Sequence, residues 1–269
     1  MSSEVVIEVS DLDLRFGGMA VLQGVSAEVK SEEIIGLVGP NGAGKTSLLN
    51  CLNGVYRPTG GSIALMGQRT DGRHVHDITR LGVARTFQGG PVLPEMSVVR
   101  YVMLGHHLRT HQSVVSSALG IPVFSGEERR IRSAAHKALD FLGLDELALQ
   151  RVGDLPYGQA KLIDLARALV SEPRILLLDE PASGLGDALR QHLAALLCNI
   201  RSELGITEVV VEHDMGVVLT SCDRVFVLDA GKVLATGEPK QVIDLPSVRD
   251  AFLGKSLDES QEGVEVTSR

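Results

Sequence analysis

Gly39-Pro40-Asn41-Gly42-Ala43-Gly44-Lys45-Thr46 is the stretch that decides the fold. It fits G-x-x-x-x-G-K-[ST], and its flanks supply the context that the pattern needs. Ile34-Ile35-Gly36-Leu37-Val38 before it is a short apolar run suited to a buried strand. Ser47-Leu48-Leu49-Asn50-Cys51-Leu52 after it carries apolar residues at helical spacing. Glycines at 39, 42 and 44 let the backbone curl until its N–H groups point into one concavity, and a helix starting near Lys45 adds the positive end of its dipole. Lys45 can reach terminal phosphates, and the Thr46 hydroxyl can ligate Mg²⁺. The alternative is a glycine-rich turn that binds nothing, and the flanks argue against it. The stretch reads as a nucleoside triphosphate site.

A second constellation matches the first. Ile175-Leu176-Leu177-Leu178-Asp179-Glu180 is an apolar strand ending in two carboxylates. In a parallel sheet, ligands bind at the carboxyl ends of the strands. Asp179 there can hold Mg²⁺ opposite Thr46, while Glu180 faces the position of an attacking water. The plainer reading of Glu180 is a solvated acid closing a strand.

Composition fits this picture. The 269 residues, 44% hydrophobic and 22% charged, describe an ordinary globular chain of one large domain or two small ones. A net charge of −8 argues against nucleic acid as the main partner. Cys51, Cys198 and Cys222 are far apart and form no C-x-x-C, as expected in a reducing compartment without a structural disulfide or zinc site. No segment approaches the roughly 18 apolar residues of a membrane-spanning helix. Met1 to Ser10 lacks the basic start and apolar core of a signal peptide. The pairs His74/His76 and His106/His107 read as surface residues rather than metal ligands.

The remaining chain alternates strand and helix signals. Val5 to Phe16, Val21 to Val29 and Ser62 to Gly67 read as strands, and Gly82 to Gln88 as extended. Glu95 to Leu108 and Glu127 to Leu142 read as helices on either side of an uncharged Ser113–Ser125 loop. Together they make a helical insert over about 90–170. Glu208 to Val211 is a core strand, Ala188 to Leu204 a helix, and Arg224 to Thr236 a hairpin turning at Asp229-Ala230-Gly231. Glu238 to Leu253 is expected to be helical with a break at Pro246, and the polar residues 255–269 a disordered tail.

Leu155-Pro156-Tyr157-Gly158-Gln159 precedes an amphipathic helix, and this completes a pattern. Gly39–Thr46, Gln88, Leu155–Gln159, Ile175–Glu180 and His213 stand in the order and approximate spacing of an ATP-binding-cassette subunit. The chain resembles that family over about residues 4–254. Tyr157, the run Gly82–Gln88, Glu180–Leu185, Val211–Met215 and Ala251–Gly254 resemble in particular the branched-chain amino-acid importer ATPases.

The resemblance implies an α/β fold: a P-loop NTPase core with an antiparallel β subdomain and an inserted α-helical subdomain. It implies ATP and Mg²⁺ as ligands. Gly39, Pro40, Asn41, Gly42, Ala43, Gly44, Lys45, Thr46 and Ser47 would hold the nucleotide. Phe16 would stack on adenine unless it is a core aromatic. Gln88 would touch the Mg²⁺/water region unless it is a surface glutamine. His213 would contact the γ-phosphate unless it is structural. Leu155, Pro156, Tyr157, Gly158 and Gln159 would cap the nucleotide of a second ATP-binding subunit. Pro156 stands where the family usually has serine, so capping is expected to be altered rather than abolished. Gly186 stands where the family usually has Asp or Asn, which bears on coupling between subunits. The implied partners are membrane permease subunits on the inner face of the cell membrane and, through them, a substrate-binding protein. Competing readings are a lipid or polysaccharide exporter ATPase, a regulatory cassette with weak hydrolysis, and a cassette protein acting on ribosomes or DNA.

Overall fold

The computed structural model describes residues 4–86, 93–107 and 124–258. Two sheets form the frame. The first is antiparallel, in the order β2-β1-β4-β5, from β1 (Val5–Phe16), β2 (Met19–Lys30), β4 (Gly60–Leu65) and β5 (Gln68–Arg69). The apolar positions of β1 change parity between Val9 and Leu12. The register with β2 shifts at that point, and Asp11 has φ +46 with its N–H on Ser26 Oγ. The bulge resets the pleat, so Ile7, Val9, Leu12 and Leu14 are all buried.

The second sheet runs β10-β9-β3-β8-β7-β6, from β3 (Ile34–Val38), β6 (Val83–Arg85), β7 (Ile175–Asp179), β8 (Thr207–Val211), β9 (Arg224–Asp229) and β10 (Lys232–Gly237). All its pairs are parallel except β9 with β10. Every residue of β3, β7 and β8 is buried. Alternation along these strands divides the core in two: Ile34, Leu176, Leu178 and Val210 face the helical insert, while Ile35, Leu37, Leu177 and Val209 face α1 (Lys45–Leu52) and the antiparallel sheet.

Between β6 and β7, α3 (Val98–His107), α4 (Phe124–Phe141) and α5 (Tyr157–Leu169) pack through Val98, Val102, Ile131, Leu139, Leu162 and Ala166; α2 (Val75–Arg80) precedes β6. The expected helix from Glu95 begins instead at Val98. Before it, Ser97 bridges Arg151 and Glu95 pairs with Arg151 at 3.0 Å, which draws these residues into a turn. The Ser113–Ser125 loop lies mostly outside the described residues. After α6 (Asp187–Leu204) and α7 (Met215–Ser221), the chain ends in α8 (Pro239–Ile243) and α9 (Pro246–Asp258). The break at Pro246 is as expected. Residues 255–258, where the sequence suggests the start of a disordered tail, continue α9 through Asp258. Residues 259–269 lie outside the description. Among the described residues no helix is long and apolar enough to cross a membrane.

Candidate functional site

Val38, Asp179 and Val211 end three adjacent parallel strands, and the loops leaving them converge at one edge of the sheet. The loop after β3 can be built only with glycine at two points. A Cβ on Gly39 (φ +145) would lie 2.0 Å from Leu228 O, and one on Gly44 (φ +103) would lie 2.9 Å from Leu22 Cδ2. Gly44 opens α1 without a side-chain cap, so the first turn faces the loop's concavity with its own N–H groups. Lys45 is buried and its Nζ donates to Gly39 O at 2.8 Å and Pro40 O at 2.9 Å. This holds the ammonium at the mouth of the loop.

Across the mouth, Thr46 Oγ1 donates to Asp179 Oδ1 over 3.4 Å. The Asp179 side chain is 1% exposed, and its Oδ2 accepts from Arg85 Nη2 at 2.8 Å. The other arm of the same guanidinium donates to Asn50 Oδ1 on α1. A hydroxyl and a carboxylate this close form a hard oxygen set that fits Mg²⁺ when phosphate oxygens complete it. Among the described residues no three His, Cys, Asp or Glu side chains form a metal cluster.

Glu180 leaves the strand with φ +50, a left-handed conformation that turns its side chain out of the sheet. Its N–H still donates to Val211 O at 2.9 Å, and its carbonyl accepts from Lys161 Nζ at 2.8 Å. The carboxylate meets His213 Nε2 at 3.0 Å, and both side chains are part-exposed. Behind them Glu212 is buried, and its carboxylate accepts the N–H groups of Ala182, His213 and Asp214. Burial pushes the Glu212 carboxyl above the usual carboxylate range, and those three N–H groups oppose the shift.

Lys45, Thr46, Asp179, Glu180 and His213 are therefore assembled at one sheet edge. Phe16 is half exposed and meets Tyr56 edge-on at 5.1 Å, so it is not a core aromatic. Pro156 precedes α5 with φ −54 and accepts the Ala160 N–H. Tyr157 is half exposed and lies against Gly184, with Lys161 Nζ 5.4 Å from its ring centre. A Cβ on Gly158 would lie 2.5 Å from Leu189 Cδ1, so a side chain there would displace Leu189. Leu155–Gln159 thus packs on the loop that follows Glu180. Gln88 lies outside the described residues. Reading the sequence missed Arg85, Lys161 and Glu212. A lone charge ending an apolar strand was the available signal for Arg85 and Glu212; Lys161 offered none.

The family model for ABC transporters matches residues 22–183. The high-affinity branched-chain amino acid transport ATP-binding protein BraF of Pseudomonas aeruginosa is 39% identical over 94% of this chain and 100% of its own length. An ATP-binding cassette of an ABC transporter, solved in its ADP conformation, superposes with a TM-score of 0.82 at 28% identity, covering 94% of this chain and 100% of that one. A dimeric cassette in a post-hydrolysis state with ADP and Pi superposes with a TM-score of 0.72 at 25% identity, covering 87% and 98%.

Proposed function

This chain belongs to the ABC transporter family as one of its ATP-hydrolysing ATP-binding subunits, and we propose that it drives the import of branched-chain or related amino acids. The observation that carries the chemical half of the proposal is the Glu180–His213 contact at 3.0 Å beside the Thr46–Asp179 pair.

In this reading Gly39–Ser47 cradle the phosphates of ATP, and Lys45 Nζ exchanges its contacts with Gly39 O and Pro40 O for phosphate oxygens. Thr46 and Asp179 hold Mg²⁺, which when bound neutralises charge on those phosphates. Glu180 orients the attacking water and takes its proton, and His213 fixes the Glu180 carboxylate and reaches the γ-phosphate. Phe16 and Tyr56 offer an exposed aromatic face to adenine. Gln88 contacts the Mg²⁺/water region and passes nucleotide state to the helices of 90–170.

The rest of the proposal concerns assembly. Leu155–Gln159 caps the ATP of a second ATP-binding subunit, with Tyr157 and Gly158 retaining the N–H groups that Pro156 lacks. The dimeric relative solved with ADP and Pi supports this pairing. Permease subunits hold the pair at the inner face of the cell membrane and receive the movement. The name of the Pseudomonas relative supports the amino-acid cargo. Purification of the tagged chain from a detergent extract tests the assembly. Two permease proteins, an ATP-binding subunit and amino-acid-stimulated ATP turnover are expected. Isolation of the chain without any membrane protein would contradict it.

A further inference from the structure

We propose that Glu212 is a positioning residue, a clamp that keeps Glu180 and His213 at reacting distance from each other. The two residues sit on different loops: Glu180 opens the turn after β7, and His213 follows β8. The Glu212 side chain reaches both. One carboxylate oxygen accepts the Ala182 N–H at 2.5 Å, two residues beyond Glu180. The other accepts the N–H of His213 at 3.1 Å and of Asp214 at 3.4 Å.

Each side of the clamp is anchored in turn. Asp214 caps α7 by accepting the Val217 N–H at 3.0 Å, and it pairs with Arg190 of α6 at 3.2 Å. Lys161 of α5 fixes the backbone of the other loop at Glu180 O. Glu212 is 2% exposed. Burying a carboxylate is costly unless hydrogen bonds replace its water, and an apolar side chain would fill the space at less cost. What the carboxylate adds is direction: it ties two loops whose residues must meet, where a misplacement of about 1 Å can cost roughly a hundredfold in rate.

The proposal rests on the reading of Glu180 and His213 as the hydrolytic pair, so Glu180→Gln is run beside Glu212→Gln and Glu212→Asp in the reconstituted transporter. The glutamine keeps the volume but turns an NH₂ toward one set of N–H donors, and the aspartate keeps both oxygens but is too short to span both loops. Phosphate release, affinity for a fluorescent ATP analogue and thermal unfolding are measured for each. Both Glu212 variants are expected to lose about tenfold or more in kcat, with ATP affinity close to wild type and the protein still folded at the assay temperature. Wild-type turnover in both, with Glu180→Gln inactive, overturns the clamp alone. Wild-type turnover in Glu180→Gln overturns the pair and the clamp with it. Parallel loss of ATP affinity, unfolding temperature and turnover in both Glu212 variants marks an ordinary structural role and also overturns it.

Discussion

Glu208 lies wholly inside the central sheet, level with Ile34 and Leu176 on the neighbouring strands, and neither of its oxygens has a hydrogen-bond partner among the described residues. Burial holds its carboxyl well above the ordinary value of 4.5; nearby Arg201 acts the other way and Asp223 adds to the rise. The sign follows from linkage. In the unfolded chain Glu208 loses its proton near 4.5, while in the fold it keeps it to higher pH, so its contribution to stability is greatest below 4.5 and falls as pH climbs toward the folded value. Glu208→Gln removes that titration. Urea midpoints measured from pH 5 to 8 should fall less steeply in the variant, which should also be the more stable protein near pH 8. Parallel slopes would show that Glu208 is ionised in the fold. Single residues were legible in the sequence where their chemistry is local. Lys45 and Thr46 sit in one loop, and Asp179 and Glu180 are adjacent. Arg85 meets Asp179 across 94 residues of chain, and Glu212 meets Ala182 across 30, and no local spacing encodes such pairs.

Among the elements, α3 packs closely on α5. A Cβ on Gly105 would lie 1.8 Å from Arg167 O and 2.8 Å from Val170 Cγ1, so the two helices touch backbone to side-chain-free backbone. Gly105→Ala would help an isolated helix, yet here it must push α3 away from α5. The net effect expected is a loss of about 1–3 kcal/mol, read by urea unfolding. A variant as stable as wild type would mean that the insert repacks freely. The strands β3, β7 and β8 were legible because burial on both faces demands an uninterrupted apolar run. The parity change in β1 was visible as a pattern, but its cause, the Asp11 bulge, requires the partner strand. The continuation of α9 through Asp258 was not legible, since its polar residues carry no periodic signal.

Taken as a whole, the molecule places two acidic strand ends, a glycine loop and the start of a helix at one edge of a parallel sheet, and a helical insert beside them. That arrangement was recoverable from sequence because several motifs agreed in order and spacing. The cargo was not, because the motifs that can be read spell out phosphate chemistry and none of them names what is transported. The central claim is that ATP held by Gly39–Ser47 is hydrolysed through Glu180. Its most direct test is the fate of bound nucleotide in a single turnover, with wild type and Glu180→Gln loaded with radiolabelled ATP and Mg²⁺. Wild type is expected to convert its ATP to ADP, while Glu180→Gln retains ATP uncleaved, slower by about a hundredfold or more. Equal conversion in the two proteins, or no ATP bound by either, would contradict the account.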